Sequence, residues 1–133
     1  MVKKMFQNDL SDAIAKYSII QNARMYREGI AVAPVDHAVG RVTAAQAADE
    51  LLNIAGIGAS FVLYPDGERV VISARSLSAT NVQVIVEALG GGGNAGAAGA
   101  QIPGKTVEQV LADLHAALDS YFDEGDDEKQ DEP

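Results

Sequence analysis

The chain has 133 residues and a formal net charge of −9, the length of one domain. It has no cysteine and only two histidines, His37 and His115. That excludes a disulfide framework, thiolate metal sites, a cysteine nucleophile and any three-histidine metal site built from this chain alone.

Asp9 or Ser11 is placed to cap a first helix, with Ile14, Tyr17, Ile19 and Ile20 on one stripe; the pattern carries it past Arg24, Arg27 and Glu28 to a stop at Gly29. Residues 30–33 read as a short buried strand ended by Pro34. A second helix starts after Gly40, with Thr43 as its cap and Ala44, Ala47, Ala48, Leu51 and Leu52 at helical spacing; Gly56 and Gly58 end it. Residues 59–64 and 70–74 form a hairpin about Pro65-Asp66-Gly67, where proline fixes φ and glycine supplies a positive one. Asn81 caps a third helix with Val82, Ile85, Val86 and Leu89 inward. Four glycines break it, and residues 97–102 are small and extended. After Pro103-Gly104, Thr106 caps a fourth helix whose stripe is Val107, Val110, Leu111, Leu114, Leu118 and Phe122. The order α-β-α-β-β-α-β-α predicts an α/β domain, with α+β left open, in which about four helices cover a small mixed sheet.

No apolar run approaches ~18 residues, so no segment is suited to spanning a bilayer. The basic start lacks the apolar core of a signal peptide. A cytoplasmic location is expected. Residues 123–133 hold seven acids and one base, −6, which leaves −3 on the body. The sequence therefore divides into a body, 1–122, and an acidic tail, 123–133, expected to be disordered and solvated. The body is not basic enough for a long duplex footprint, but a few placed cations suffice for a small phosphate compound.

The informative stretch is 72–102. Arg75 closes a strand, where a guanidinium can take a phosphate through two parallel bonds. Asn81 opens a helix, whose free N–H groups favour an anion. Gly90, Gly91, Gly92 and Gly93 let the backbone approach a ligand and aim N–H groups at it. Four glycines also make a flexible linker, but these lie between a helix and a strand of one domain.

The combination of Arg75-Ser76, Asn81-Val82, Gly90 to Gly93 and Ala97-Ala98-Gly99 resembles the carboxy-terminal, DHH-associated domain of the DHH-family phosphoesterases. The segments Ala47-Ala48-Asp49-Glu50-Leu51-Leu52, Ala59-Ser60-Phe61-Val62 and Ser73-Ala74-Arg75-Ser76 resemble the membrane-anchored GGDEF-DHH cyclic-di-AMP phosphodiesterases. The likeness covers roughly residues 15–120. It implies a substrate-binding domain that holds cyclic-di-AMP, pApA or a short oligonucleotide against manganese ions carried by a separate DHH domain of the same parent chain. Neither catalytic residues nor metal ligands are then expected here: Asp36-His37 is followed by Ala38 and makes no DHH string. The substrate contacts implied are Arg75, Ser76, Asn81, Gly90, Gly91, Gly92, Gly93 and Asn94. At Asn94 the family pattern has histidine; an amide can donate to a phosphate oxygen but brings no charge. The resemblance also implies that Met1 is a boundary within a larger protein, anchored in the cell membrane through segments other than this one. A homodimer is left open. Two other readings stay open beside it. One is a nucleic-acid-binding module of a RecJ-like or nanoRNase-like phosphoesterase or of an alanyl-tRNA synthetase. The other is a structural fragment in which the glycines are only a tight turn.

Overall fold

The computed structural model describes residues 10–77 and 79–131, with side chains as far as 123. The elements are α1 (Leu10–Gln21), β1 (Arg24–Arg27), β2 (Ile30–Pro34), α2 (Arg41–Leu51), β3 (Ala59–Asp66), β4 (Arg69–Ser76), α3 (Val82–Glu87), β5 (Gly92–Gly93), β6 (Ala97–Pro103) and α4 (Val107–Asp131). The strands form one sheet in the order β1-β2-β3-β4-β6-β5. Only β2 and β3, joined through α2, run parallel; every other pair is antiparallel. The mixed sheet under four described helices is the α/β arrangement that the hydrophobic patterning predicts.

Two strands are additions to that expectation. The first helix does not reach Gly29. It stops at Gln21, and Arg24–Arg27 turns back as an edge strand on β2. Gly29, taken as a helix stop, has φ 83° and sits in the two-residue turn between Arg27 and Ile30. Side chains of α4 hold this edge. The Tyr26 hydroxyl donates to Asp119 at 2.8 Å, Arg27 pairs with the same carboxylate at 3.1 Å, and the Tyr26 ring stacks on His115 at 3.9 Å. His115 is thus a packing residue, its pKa lowered chiefly by burial and partly restored by Asp119. The second addition is β5, where the chain read as a helix breaker pairs Gly92 with Gly99 and Gly93 with Ala98.

Each face of the sheet has its own core. Beneath one face, α3 and α4 bury Val82, Ile85, Val86, Val110, Leu114 and Leu118 against Phe61, Leu63, Val70, Ile72 and Ala74. Burial of each large apolar side chain contributes roughly 1.5–3 kcal/mol. On the other face, Ala44, Ala47 and Ala48 bring α2 close to β2 and β3, with Ile19 of α1 and Val62 and Tyr64 filling in. The closeness lets the buried Ser60 hydroxyl donate to the Ala48 carbonyl at 2.7 Å. The caps follow the sequence at α3 and α4; at α1, Ser11 lies inside the helix and Asp9 lies outside the described residues. Asn81 accepts from Gln83 N and Val84 N, and Thr106 and Gln109 cap each other reciprocally. The cap of α2 is Gly40, without a side-chain bond, and not Thr43. The helix α4 is assigned as far as Asp131. Propagating an existing helix adds one hydrogen bond per residue fixed. How the acidic side chains beyond 123 lie is outside the described residues. Among the described residues, no helix is long and apolar enough to cross a membrane.

Candidate functional site

The two faces are unequally covered. Below, α3 and α4 lie under β3, β4 and β6. Above, α1 lies over β2, and α2 lies over β3 and the adjoining side of β4. Beyond β4 the upper face of β6 and β5 is left open, and the groove opens where the cover by α2 ends. Side chains alternate along a strand, so this face presents Val71, Ser73 and Arg75 of β4 beside Ala97, Gly99 and Gln101 of β6. Val71 pairs with Gln101, Ser73 with Gly99 and Arg75 with Ala97. The result is a groove of about 840 Å³ walled by Arg41 and Ala45 of α2 and by the glycine loop. A second concavity, about 920 Å³, lies at the β3–β4 turn and carries mixed charge from Asp36, Glu68, Glu108, Arg69 and Lys105. Lys105 is already paired there with Asp113 at 2.6 Å, and none of the expected contacts reaches that concavity.

The groove brings together Arg75 and all four glycines. Arg75 is oriented by its own neighbourhood. Its Nε lies 3.2 Å from Asp49 Oδ1 on α2, and Nη1 donates to the Ala74 carbonyl at 2.8 Å. These contacts leave Nη2 without a protein partner among the described residues, on a side chain that lines the groove. The acid that pairs with it is Asp49, and not Asp66 or Glu68, which sit at the far end of the hairpin.

The glycines divide by role. Gly90 and Gly91 end α3: their N–H groups bond to the carbonyls of Glu87 (3.1 Å) and Val86 (2.8 Å), the two bonds of a Schellman ending, with Gly90 at φ 90°. Those two donors are therefore spent on the helix and not aimed at a ligand. A Cβ on Gly91 would overlap the Gly99 carbonyl oxygen and lie 2.6 Å from the Ala100 Cβ, and one on Gly93 would lie 2.5 Å from the Ala97 carbonyl oxygen. Gly92 differs. Its φ is one that any L-residue adopts, and a Cβ there would meet nothing within 4 Å. The fold gives no reason for glycine at 92, which pairs with Gly99 on the floor of the groove.

Three expected contacts are not in the groove. Ser76 follows Arg75 and so points to the opposite face, where it is 8% exposed and its Oγ is buried without a partner among the described residues. Asn81 is consumed as a cap. Its side chain takes the N–H groups of Gln83 and Val84, Val82 N donates to Ala95 O, and its own N–H donates to the Tyr121 hydroxyl at 3.0 Å. No N–H of the first turn of α3 is left for an anion. Asn94 turns back on the chain, its Oδ1 accepting from Gly96 N (3.0 Å) and Ala97 N (2.9 Å). It closes the β5–β6 turn as an Asx motif. Asn94→Ala is expected to lower stability by about 1–2 kcal/mol through the lost turn bonds, read as a shift in thermal midpoint, while a phosphate ligand binds as before.

Residues not foreseen complete the groove: Arg41, Tyr64, Asp66 and Gln101. Alternation along β3 puts Tyr64 on the face of Ser60 and Val62, and that period was the one available signal. No group of three or more His, Asp or Glu that could hold a metal occurs among the described residues. Asp36 and His37 form an isolated surface pair at 2.9 Å, whose hydrogen bond holds the Asp36 carboxyl below its usual range. The described residues therefore assemble no two-metal site.

The DHHA1 domain family matches residues 27–124. The chain is 36% identical to the cyclic-di-AMP phosphodiesterase PdeA of Listeria monocytogenes over 92% of its length and 19% of that protein's. It is 38% identical to the cyclic-di-AMP phosphodiesterase GdpP of Bacillus subtilis, over 94% of this chain and 20% of the relative. It thus spans about a fifth of these relatives. Among solved structures, an exopolyphosphatase-related protein from Bacteroides fragilis superposes with a TM-score of 0.77 at 20% identity, covering 90% of this chain and 37% of that one. At that identity the likeness bears on the fold.

Proposed function

Because the chain belongs to the DHHA1 domain family of the DHH phosphoesterases, we propose that its open sheet face is the substrate-binding half of a dinucleotide phosphodiesterase. Arg75 takes a phosphate of cyclic-di-AMP or of its linear product pApA, and the glycine floor lets the nucleotide lie flat on the backbone. The observation that carries this reading is Gly92: a residue whose missing side chain serves no turn and relieves no clash, on the floor of a groove that ends at an arginine. A guanidinium held by Asp49 with one nitrogen free is preorganised, so little ordering is lost when a phosphate arrives. Clamping of this kind stabilises charge on phosphoryl oxygens. The names of the relatives PdeA and GdpP supply the substrate class. The metal ions that such hydrolysis uses, manganese by the family resemblance, belong in this reading to a DHH domain of the parent chain, which also carries any membrane anchor.

Calorimetric titration of the purified chain, without metal, with pApA, cyclic-di-AMP and a ~10-mer single strand tests the reading. Saturable binding of a dinucleotide is expected, with weaker binding of the decamer per molecule. A decamer that binds far more tightly would move the reading to a single-strand nucleic-acid module. No binding of any of the three would end it. The same preparation is expected to hydrolyse neither cyclic-di-AMP nor pApA, with or without manganese, since the described residues assemble no metal-ligand cluster. Metal-dependent turnover by the pure chain would place the catalytic groups here instead.

A further inference from the structure

The groove extends beyond its Arg75 end to a cluster that phosphate binding does not use. Ser60 pairs with Arg75 and Tyr64 pairs with Val71. The two rows are four residues apart, about 13 Å at ~3.3 Å per residue. Tyr64 is 3% exposed, yet it lines the groove, and its hydroxyl makes no hydrogen bond among the described residues. Among the described residues Ser76 Oγ is the only fully buried side-chain polar atom without a partner, so the Tyr64 hydroxyl, on a buried ring, keeps exposed surface as an unspent polar tip on the groove wall. Burial raises the Tyr64 pKa, Asp66 adds to the rise and Arg41 opposes it. The phenol therefore stays a donor, and both charges lie within electrostatic reach of it. Arg41 is exposed and forms no hydrogen bond or ion pair among the described residues. It opens α2, whose first turn holds no acid, a position where the helix dipole disfavours a cation. Neither helix stability nor an internal partner accounts for an arginine there.

We propose that Tyr64, Arg41 and Asp66 form a subsite for the base of the second nucleotide of a bound dinucleotide. The proposal rests on the phosphate reading of the Arg75 end. The combination of groups favours a base over a second phosphate. Two donors beside an acceptor match a purine edge, which offers ring-nitrogen acceptors next to an amino donor, whereas the Asp66 carboxylate would repel a phosphate. Gln101, the remaining polar side chain at this end, is bonded to Arg69 at 2.7 Å.

The test compares pApA with adenosine 3′,5′-bisphosphate, which keeps both phosphates and the first base but lacks the second nucleoside. Both are titrated against the full chain and against Tyr64→Phe and Arg41→Ala. The unmodified chain is expected to prefer pApA. Each variant is expected to weaken pApA about five- to tenfold, one lost hydrogen bond's worth, and to leave the bisphosphate unchanged. Tyr64→Phe should melt no lower than the parent, since it removes a hydroxyl without a partner. Equal affinity of the parent for both ligands, or variants that weaken both alike, would overturn the base subsite and leave the phosphate site standing. A parent that binds neither ligand would overturn the phosphate reading, and the subsite with it.

Discussion

Arg75→Ala is expected to abolish measurable dinucleotide binding while the domain stays folded. A lost charged partner to a phosphate costs about 2–5 kcal/mol, a fall of roughly 30-fold or more. The expected effect on stability is far smaller. The ion pair with Asp49 is 3.2 Å long but joins side chains 22% and 64% exposed, and pairs so open to water contribute about 1 kcal/mol or less. Asp49→Ala is the companion experiment. It removes the same ion pair and keeps the guanidinium, so a site that needs the cation survives it at reduced affinity, and a residue that served only as half of a salt bridge does not distinguish the two variants. Titration of both with pApA, beside their thermal midpoints, reads the outcome. Unchanged affinity in Arg75→Ala would remove the arginine from the site.

The second large effect separates glycines that adjoin one another. Gly91→Ala is expected to destabilise the domain by about 3 kcal/mol, the upper end of overpacking, because the atoms its Cβ would meet include the Gly99 carbonyl and Cα of Ala100, which cannot rotate away. On a domain of this size that lowers the thermal midpoint by on the order of 10 °C. Gly92→Ala is expected to leave the midpoint unchanged or raise it slightly, since alanine restricts the unfolded chain without native strain. Its methyl group would stand on the groove floor, and pApA affinity should fall by tenfold or more. A Gly92→Ala chain that binds normally would show that no ligand comes close to that floor. One that melts far lower would show that the fold, and not the ligand, requires glycine at 92.

How much of this was legible in the sequence depended on whether a residue's role is local. Helical stripes, the β3–β4 hairpin and the caps at Asn81 and Thr106 are written in spacings of a few residues, and the structure has them. The strand β1 was hidden because Arg24–Arg27 continues a helix-like composition from α1, and its partners on α4, Asp119 and His115, lie more than 80 residues away. The strand β5 was hidden because two glycines carry no side-chain signal, and only pairing with Gly99 and Ala98 makes them a strand. For the site, adjacency misled in three places. Ser76 adjoins Arg75 in sequence but faces the other side of the sheet. Asn81 looks like an anion-binding helix start until its own carboxamide is found on the free N–H groups. Asn94 follows the glycines but bonds back to its own turn. Arg41 and Tyr64 join the groove only through the α2 crossover, which no local pattern encodes.

The two outermost strands have a further consequence, for the behaviour of the domain in a crowded solution. An exposed sheet edge is a template on which another chain can add a strand, the route to edge-to-edge aggregation. Here one margin is β1, four residues with a register shift between Met25 and Arg27 and an arginine at each end. The other is β5, two glycines long. A foreign strand would find charge and a kink on one side and almost no ladder on the other. The short glycine margin thus closes the sheet to polymerisation, at the same place where it leaves the groove open.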